Sequence, residues 1–199
     1  MTDLPVVLAS ASPRRHDLLN MIGISHDVMP ADIDESYRDG ERPRAYAERL
    51  AREKGALVAA TRRDSLVISA DTIVVIDGRV LGKPASAAEA DRMLRQLSGR
   101  THEVVTAVAA TLAGRTESGV EEVRVTFRQL SAELVARYVA TGEPLDKAGA
   151  YGIQGFGATI VERIEGDYFA VMGLALGRLI ELVGGLGLVY GFDGVKRRE

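Results

Sequence analysis

Cysteine is missing from all 199 residues. Its absence excludes disulfides, zinc–thiolate sites and a cysteine nucleophile, and it fits a reducing compartment. No stretch is long and apolar enough to span a membrane, and the opening MTDLPVVLAS has too short an apolar run and the wrong flanks for a secretory leader. The expectation is a cytoplasmic protein that does not engage a membrane. Excess positive charge is missing as well. A net charge of −3 argues against a broad nucleic-acid surface and leaves room only for small anions bound locally. There is no internal repeat and no low-complexity segment, and the length suits one domain with an ordinary core. The only basic cluster, Lys196-Arg197-Arg198, is too short to carry much and reads as a frayed end within a tail over residues 190–199.

What is present begins with ASASPRRHDLL. Residues 5–9 form a short apolar run that predicts a buried strand, and Ser12 followed by Pro13 predicts a helix start, serine as N-cap and proline at the first helical position. Leu18, Leu19 and Ile22 give that helix one apolar face, and Gly23 stops it. Arg14 and Arg15 therefore fall in the first turn, where the macrodipole is already positive. A phosphate would use the helix amides and both guanidinium groups together; a solvated basic turn is the alternative.

Further along, residues 25–30 predict a strand, residues 31–43 a polar acidic loop, and residues 43–63 a helix with Gly55 as its one weak spot. LVISADTIVVI is a strand buried on both faces, interrupted by Asp71 and Thr72, and a buried aspartate needs a partner. Asp77-Gly78 is a hairpin turn, so GRVLGKP returns antiparallel, with Lys83 at its end. Ser86 and Glu89 make a capping box for a helix that closes at Gly99. Two strands, over residues 101–113 and 120–130, flank a GRTESG turn, and SAELVARYVATG is helical. Residues 143–158 hold four glycines in an ordered loop too apolar to be a linker; TIVERIEG is a strand, and DYFAVMGLALGRLIELVGGLG runs into a terminal helix.

Cations, carboxylates and glycines together make a phosphate-and-metal inventory. A magnesium-type ion takes one or two carboxylates, waters and phosphate oxygens, which Asp71 and an acid from Asp32, Asp34 or Glu35 would satisfy. Other chemistries fail on spacing. GRVLGKP has the wrong glycine spacing and sits on a hairpin, so it is no Walker loop, and GIQGFGA precedes a strand where a dinucleotide fingerprint needs a helix. His16, His26 and His102 lie in different elements with no metal-ligand spacing, and no GxSxG elbow exists.

Seven stretches, LASASPRR, AREK, SADTIVV, LGKP, LSGRTHEVVTAV, DKAGAYGIQG and GDYFAVMGL, occur in an order that resembles the Maf family of nucleoside triphosphate pyrophosphatases. The resemblance spans almost the whole chain. It implies a single domain over residues 1–199 with an α/β fold: an elongated mixed β-sheet flanked by helices, two lobes with a central cleft, similar to inosine triphosphate pyrophosphatases. It also implies a divalent metal cofactor (Mg or Mn), a nucleoside triphosphate substrate and a homodimer. Asp71 would be the general base, with Asp71 and Glu35 as metal ligands. Ser10, Arg14, Arg15, Lys54 and Lys83 would hold phosphate, and Lys147 would either bind phosphate or hold Asp146. Arg14, Thr72 and Gln154 match positions that set pyrimidine preference, and the DKAGAYGIQG form resembles the dTTP/UTP branch; the branch acting on 7-methyl-GTP departs there. Inhibition of septum formation, also associated with the family, is the non-catalytic alternative. Three positions depart from the family pattern: Gly55 where alanine is usual, Ser69 where glycine is, and Ala175 where proline is expected.

Overall fold

In the computed structural model, which describes residues 4–198, the first apolar run forms β1 (Val6–Leu8). Met1 to Asp3, part of the N-terminal stretch discussed above, and Glu199 at the end of the basic tail lie outside the described residues. Helix α1 (Pro13–Met21) starts as expected, with Ser12 extended and Pro13 first, although the Ser12 side chain makes no cap hydrogen bond. It is followed by β2 (Asp27–Val28), α2 (Pro43–Ala59) and β3 (Leu66–Ile76), whose residues are all buried except half-buried Thr72. Asp77 and Gly78 take φ of 52° and 72°, the pair of left-handed residues that a tight hairpin requires, and deliver β4 (Arg79–Leu81) antiparallel to β3. Ser86 caps α3 (Ala87–Leu97) by accepting from Glu89 N at 3.2 Å, while the Glu89 carboxylate accepts from Ala85 N at 2.7 Å.

Beyond α3 the chain departs from expectation in three places. The turn between β5 (Thr101–Leu112) and β6 (Arg115–Phe127) is only Ala113 and Gly114, both at positive φ, so most of the predicted GRTESG turn is strand. Gly119 lies inside β6, where a Cβ would come 2.6 Å from the Arg178 side chain. After α4 (Ala132–Ala140) and β7 (Val161–Glu165), the predicted terminal helix is two, α5 (Tyr168–Met172) and α6 (Leu176–Gly185), separated near Gly173 at φ 116°. The basic end is a hairpin of β8 (Leu188–Gly191) and β9 (Gly194–Arg197) where a frayed end was expected. Ala175, the extended residue before α6, has φ −71°, a value proline also adopts, so its departure from the family pattern leaves the backbone path intact.

The main sheet is mixed, in the order β2-β1-β3-β5-β6-β7 with β4 on β3; β1 is parallel to both β2 and β3. Helices flank it, as an α/β fold requires. The chain divides into two compact units, one running up to Asp71 and adding Thr106–Glu121 and the residues from Gly173 on, the other Thr72–Val105 with Glu122–Met172.

The first unit holds the parallel strands, α1, α2 and α6. Val7, Ala9, Val58 and Val67 form part of its core, with Met29, Ala31 and Ala59 against them. Helix α2 meets β3 closely: Ser69 Oγ donates to Ala51 O at 2.7 Å, and a Cβ on Gly55 would lie 2.7 Å from Ser69 Oγ. The second unit packs α3 on α4 and buries an aromatic trio, His102, Phe127 and Tyr151, in edge-to-face contacts with centroids 4.6 to 5.3 Å apart.

Candidate functional site

The register of β1 on β3 pairs Leu8 with Ile68, and Ala9 N donates to Ile68 O at 2.8 Å. Beyond this point β1 gives way to Ser10 and the α1 turn while β3 runs on through Ala70 to Asp71. The carboxyl ends of parallel strands are where open α/β sheets place their ligands. There the first unit gathers its charged groups. Lys54, carried by α2, is buried and points its ammonium at Asp71 Oδ1 (2.7 Å) and Glu35 Oε1 (2.7 Å). The two carboxylates thus converge on one nitrogen, Asp71 from a side chain only 10% exposed and Glu35 from one 56% exposed.

The acidic loop is fixed to α2 by groups whose role the sequence did not reveal. Tyr46 Oη donates to Glu35 O at 2.6 Å, and burial, with Asp71 and Glu35 nearby, raises its pKa above the ordinary phenol value. Arg49 forks onto both oxygens of Glu41 at 2.7 and 2.9 Å and reaches Ser36 O at 3.0 Å. Asp34 turns back on Ser36, so Glu35 is the acid of this loop that meets Lys54.

Arg15 is built into the protein. Its Nε donates to Gly173 O at 2.8 Å, and Nη1 donates to Ser10 Oγ at 2.9 Å and Ala70 O at 2.8 Å. Burial pulls its pKa below the ordinary value, while Asp71 opposes that shift. Arg14 lies half-buried beside it, in a first turn without an acidic residue. The structure therefore brings Ser10 to Arg15 and brings Glu35 and Asp71 to Lys54, with Arg15 also on the carbonyl of Ala70, the residue before Asp71, and Arg14 next to Arg15 in the chain.

Thr72, Lys83, Lys147 and Gln154 belong to the second unit. Thr72 shares a face of β3 with Val74, on which Gly149 sits so closely that a Cβ would lie 2.8 Å from it. Gly149 N donates to Gly82 O at 3.0 Å, which brings the loop beside exposed Lys83. Lys147 Nζ is held by Asp146 Oδ1 (2.6 Å) and Glu143 O (2.7 Å), the second of the two roles open to it from sequence. Gln154 is exposed, at the start of the turn Gly155–Thr159. Two residues that sequence reasoning missed, Tyr138 and Glu143, bind this loop's backbone: Glu143 accepts from Phe156 N and Gly157 N, each at 2.9 Å, and Tyr138 Oη accepts from Gly152 N at 3.2 Å. The signal was the glycines themselves, since Gly155 and Gly157 are where a Cβ would strike Glu143 Oε2 and Tyr138 Oη, at 2.5 and 2.6 Å.

The donor chemistry fits a magnesium-type ion. Asp71 and Glu35 supply hard carboxylate oxygens already drawn together by a positive charge. Among the described residues no group of three or more His, Cys, Asp or Glu forms a cage, so an ion here would share its shell with water or ligand phosphates. None of the described helices is long and apolar enough to cross a membrane.

The model of the family described as Maf-like protein matches residues 5–186. A dTTP/UTP pyrophosphatase of Moorella thermoacetica is 55% identical over 94% of this chain and 96% of its own. Those of Syntrophomonas wolfei and Aquifex aeolicus are 52% and 44% identical, covering 86% and 94% of this chain and 92% and 97% of theirs. The solved structure of the Staphylococcus aureus Ham1 protein matches over 79% of each chain at 17% identity with a TM-score of 0.48.

Proposed function

The chain belongs to the Maf-like protein family, and from that premise we propose that it is a dTTP/UTP pyrophosphatase whose chemistry centres on Asp71. The reaction is hydrolysis of a nucleoside triphosphate between the α- and β-phosphates: water adds to the α-phosphorus, the bridging P–O bond breaks, and nucleoside monophosphate and pyrophosphate leave. The observation that carries the proposal is the convergence of Asp71 and Glu35 on Lys54.

Asp71 Oδ accepts the proton of the attacking water, and its backbone is held inside β3. Lys54 orients Asp71 through its 2.7 Å contact and supplies positive charge for the developing phosphate oxygens. Arg14 grips the polyphosphate; Arg15 adds its charge and holds Ser10 in position to donate a hydrogen bond. Asp71 and Glu35 would hold a divalent ion such as Mg or Mn, which when bound supplies Lewis-acid polarisation and neutralises phosphate charge. In the second unit, Lys83 adds charge for phosphate, and Thr72 and Gln154 select the base. An amide such as Gln154 can both donate to and accept from a pyrimidine edge.

Pyrophosphate release from dTTP, UTP, CTP, GTP and 7-methyl-GTP with magnesium or manganese tests the reading, with Asp71→Asn as the blank. Turnover of dTTP and UTP that falls about a hundredfold or more in Asp71→Asn is expected. Equal turnover by the variant would remove Asp71 from the chemistry.

A further inference from the structure

We infer that Glu143, with Tyr138, is the positioning residue that sets pyrimidine preference by fixing the segment that carries Gln154. Glu143 Oε1 accepts from Tyr138 Oη at 2.8 Å and from Gly157 N at 2.9 Å, and Oε2 accepts from Phe156 N at 2.9 Å. Tyr138 Oη in turn accepts from Gly152 N at 3.2 Å. One linked carboxylate and hydroxyl therefore tie the backbone on both sides of Gln154, at residue 152 before it and at residues 156 and 157 after it.

The segment is closed on itself as well as tied. A Cβ on Gly157 would lie 2.2 Å from Gly152 O, so the two ends touch, and Gly155, at φ 68°, leaves the approach that Glu143 Oε2 needs. Burial would raise the Glu143 pKa, but the amides of Gly157 and Phe156, the Tyr138 hydroxyl and the Lys147 charge outweigh it and hold the carboxyl below its ordinary value. A carboxylate that only accepts suits three donors aimed at its two oxygens. Gln154 itself stays exposed at the middle of the span. Hydrogen-bond selection of a base depends on an amide held to a fraction of an ångström, and here the holding comes from the backbone tethers on either side.

This inference rests on the proposed role of Gln154, and the experiment separates the two. Steady-state kinetics on dTTP and GTP with magnesium would be measured for Gln154→Ala, Glu143→Gln, Tyr138→Phe and the Glu143→Gln/Gln154→Ala double variant. Glu143→Gln sets an NH2 against a backbone N–H; the dTTP KM is expected to rise about tenfold with kcat within about threefold, and the dTTP-over-GTP preference to fall about tenfold. The double variant is expected to be no less selective than Gln154→Ala alone, because both act through one contact. Preference kept within about twofold in Glu143→Gln while Gln154→Ala loses it, or losses that multiply in the double variant, would overturn the inference and leave the Gln154 role standing. Preference kept in Gln154→Ala would overturn both. If Glu143→Gln does not fold, Tyr138→Phe decides: it keeps the ring and removes only the hydroxyl bridge, and an unchanged preference would overturn the inference.

Discussion

The two polar constellations are held together by opposite means. Around Lys54 the contacts are between full charges, ammonium to two carboxylates. Around Glu143 a single carboxylate collects backbone amides and a hydroxyl, and its neighbour Lys147 donates to its main-chain oxygen. Charge pairs can be re-shared when a charged ligand or metal arrives, because the same oxygens and nitrogen can turn to new partners. Backbone tethers cannot, and so they suit a surface that must keep its shape. The difference suits the proposed division, in which the first region carries the chemistry and the second the discrimination.

Breaking the charged region should have the largest effect. Lys54→Met leaves Asp71 buried without its counter-charge, and removing one partner of a buried pair costs about 3 kcal/mol of stability. Pyrophosphate release should fall about a hundredfold or more, through kcat, since the orienting contact to the base goes with the charge. Urea unfolding and steady-state kinetics check the two separately. A Lys54→Met enzyme of normal stability and kcat would show that the convergence on Lys54 is incidental.

This contrast also explains what the sequence revealed. Charged residues in unexpected places are visible from type and position alone: Arg14 and Arg15 at the wrong end of a helix, Asp71 inside an apolar strand. The parallel register that sets Ser10 and Ala70 around Arg15 follows from β1 and β3, both legible as apolar runs. Tyr138 and Glu143 are not legible from their own types, because their work is on backbone atoms up to 14 residues away; only the glycines they approach, Gly155 and Gly157, mark the place. The β5–β6 turn was misread for a similar reason: Ala113 takes φ 50° without being glycine, and polar residues 115–118 look like loop.

Acid should act on the second region through His102. Its ring is buried with Nδ1 unpartnered among the described residues and Nε2 2.8 Å from Tyr151 Oη, and burial lowers its pKa from 6.5 to about 4. The unfolded chain takes up the proton first. Stability from this group is therefore complete above pH 6.5, falls as pH drops from 6.5 to 4, and levels below that, for a total of about 3 kcal/mol. Urea midpoints across this range should show the slope in the parent and a flatter one in His102→Phe. Equal slopes would mean that the imidazole is reached by water.

A smaller change probes how rigid the tethered segment is. Gly157→Ala drives a methyl to 2.2 Å from Gly152 O, a backbone atom that has no rotamer to escape through. A cost of about 2 kcal/mol is expected, with dTTP preference lost before kcat. Melting temperature and the dTTP-to-GTP ratio of kcat/KM measure both. Unchanged values would mean that this segment yields as easily as a charge pair, and the contrast between the regions would weaken.

The smallest expected effect tests the frame on which the charged region stands. Two of the departures from the family pattern, Gly55 for alanine and Ser69 for glycine, face each other across the α2–β3 contact, where a Cβ on Gly55 would lie 2.7 Å from Ser69 Oγ and 3.3 Å from Thr111 Oγ1. They are one exchange: side-chain atoms removed from the helix and placed on the strand, two residues before Asp71 and one after Lys54. Gly55→Ala gains helix propensity of about 1 kcal/mol but meets the serine, for a net cost of about 1 kcal/mol. Ser69→Gly alone loses the 2.7 Å bond to Ala51 O and leaves a gap, at a similar cost of about 1 kcal/mol. Together they should return to within about half a kcal/mol of the parent or exceed it, a coupling that urea unfolding of all four proteins resolves. Additive losses would instead mean that α2 and β3 carry Lys54 and Asp71 on a contact that does not depend on how its volume is shared.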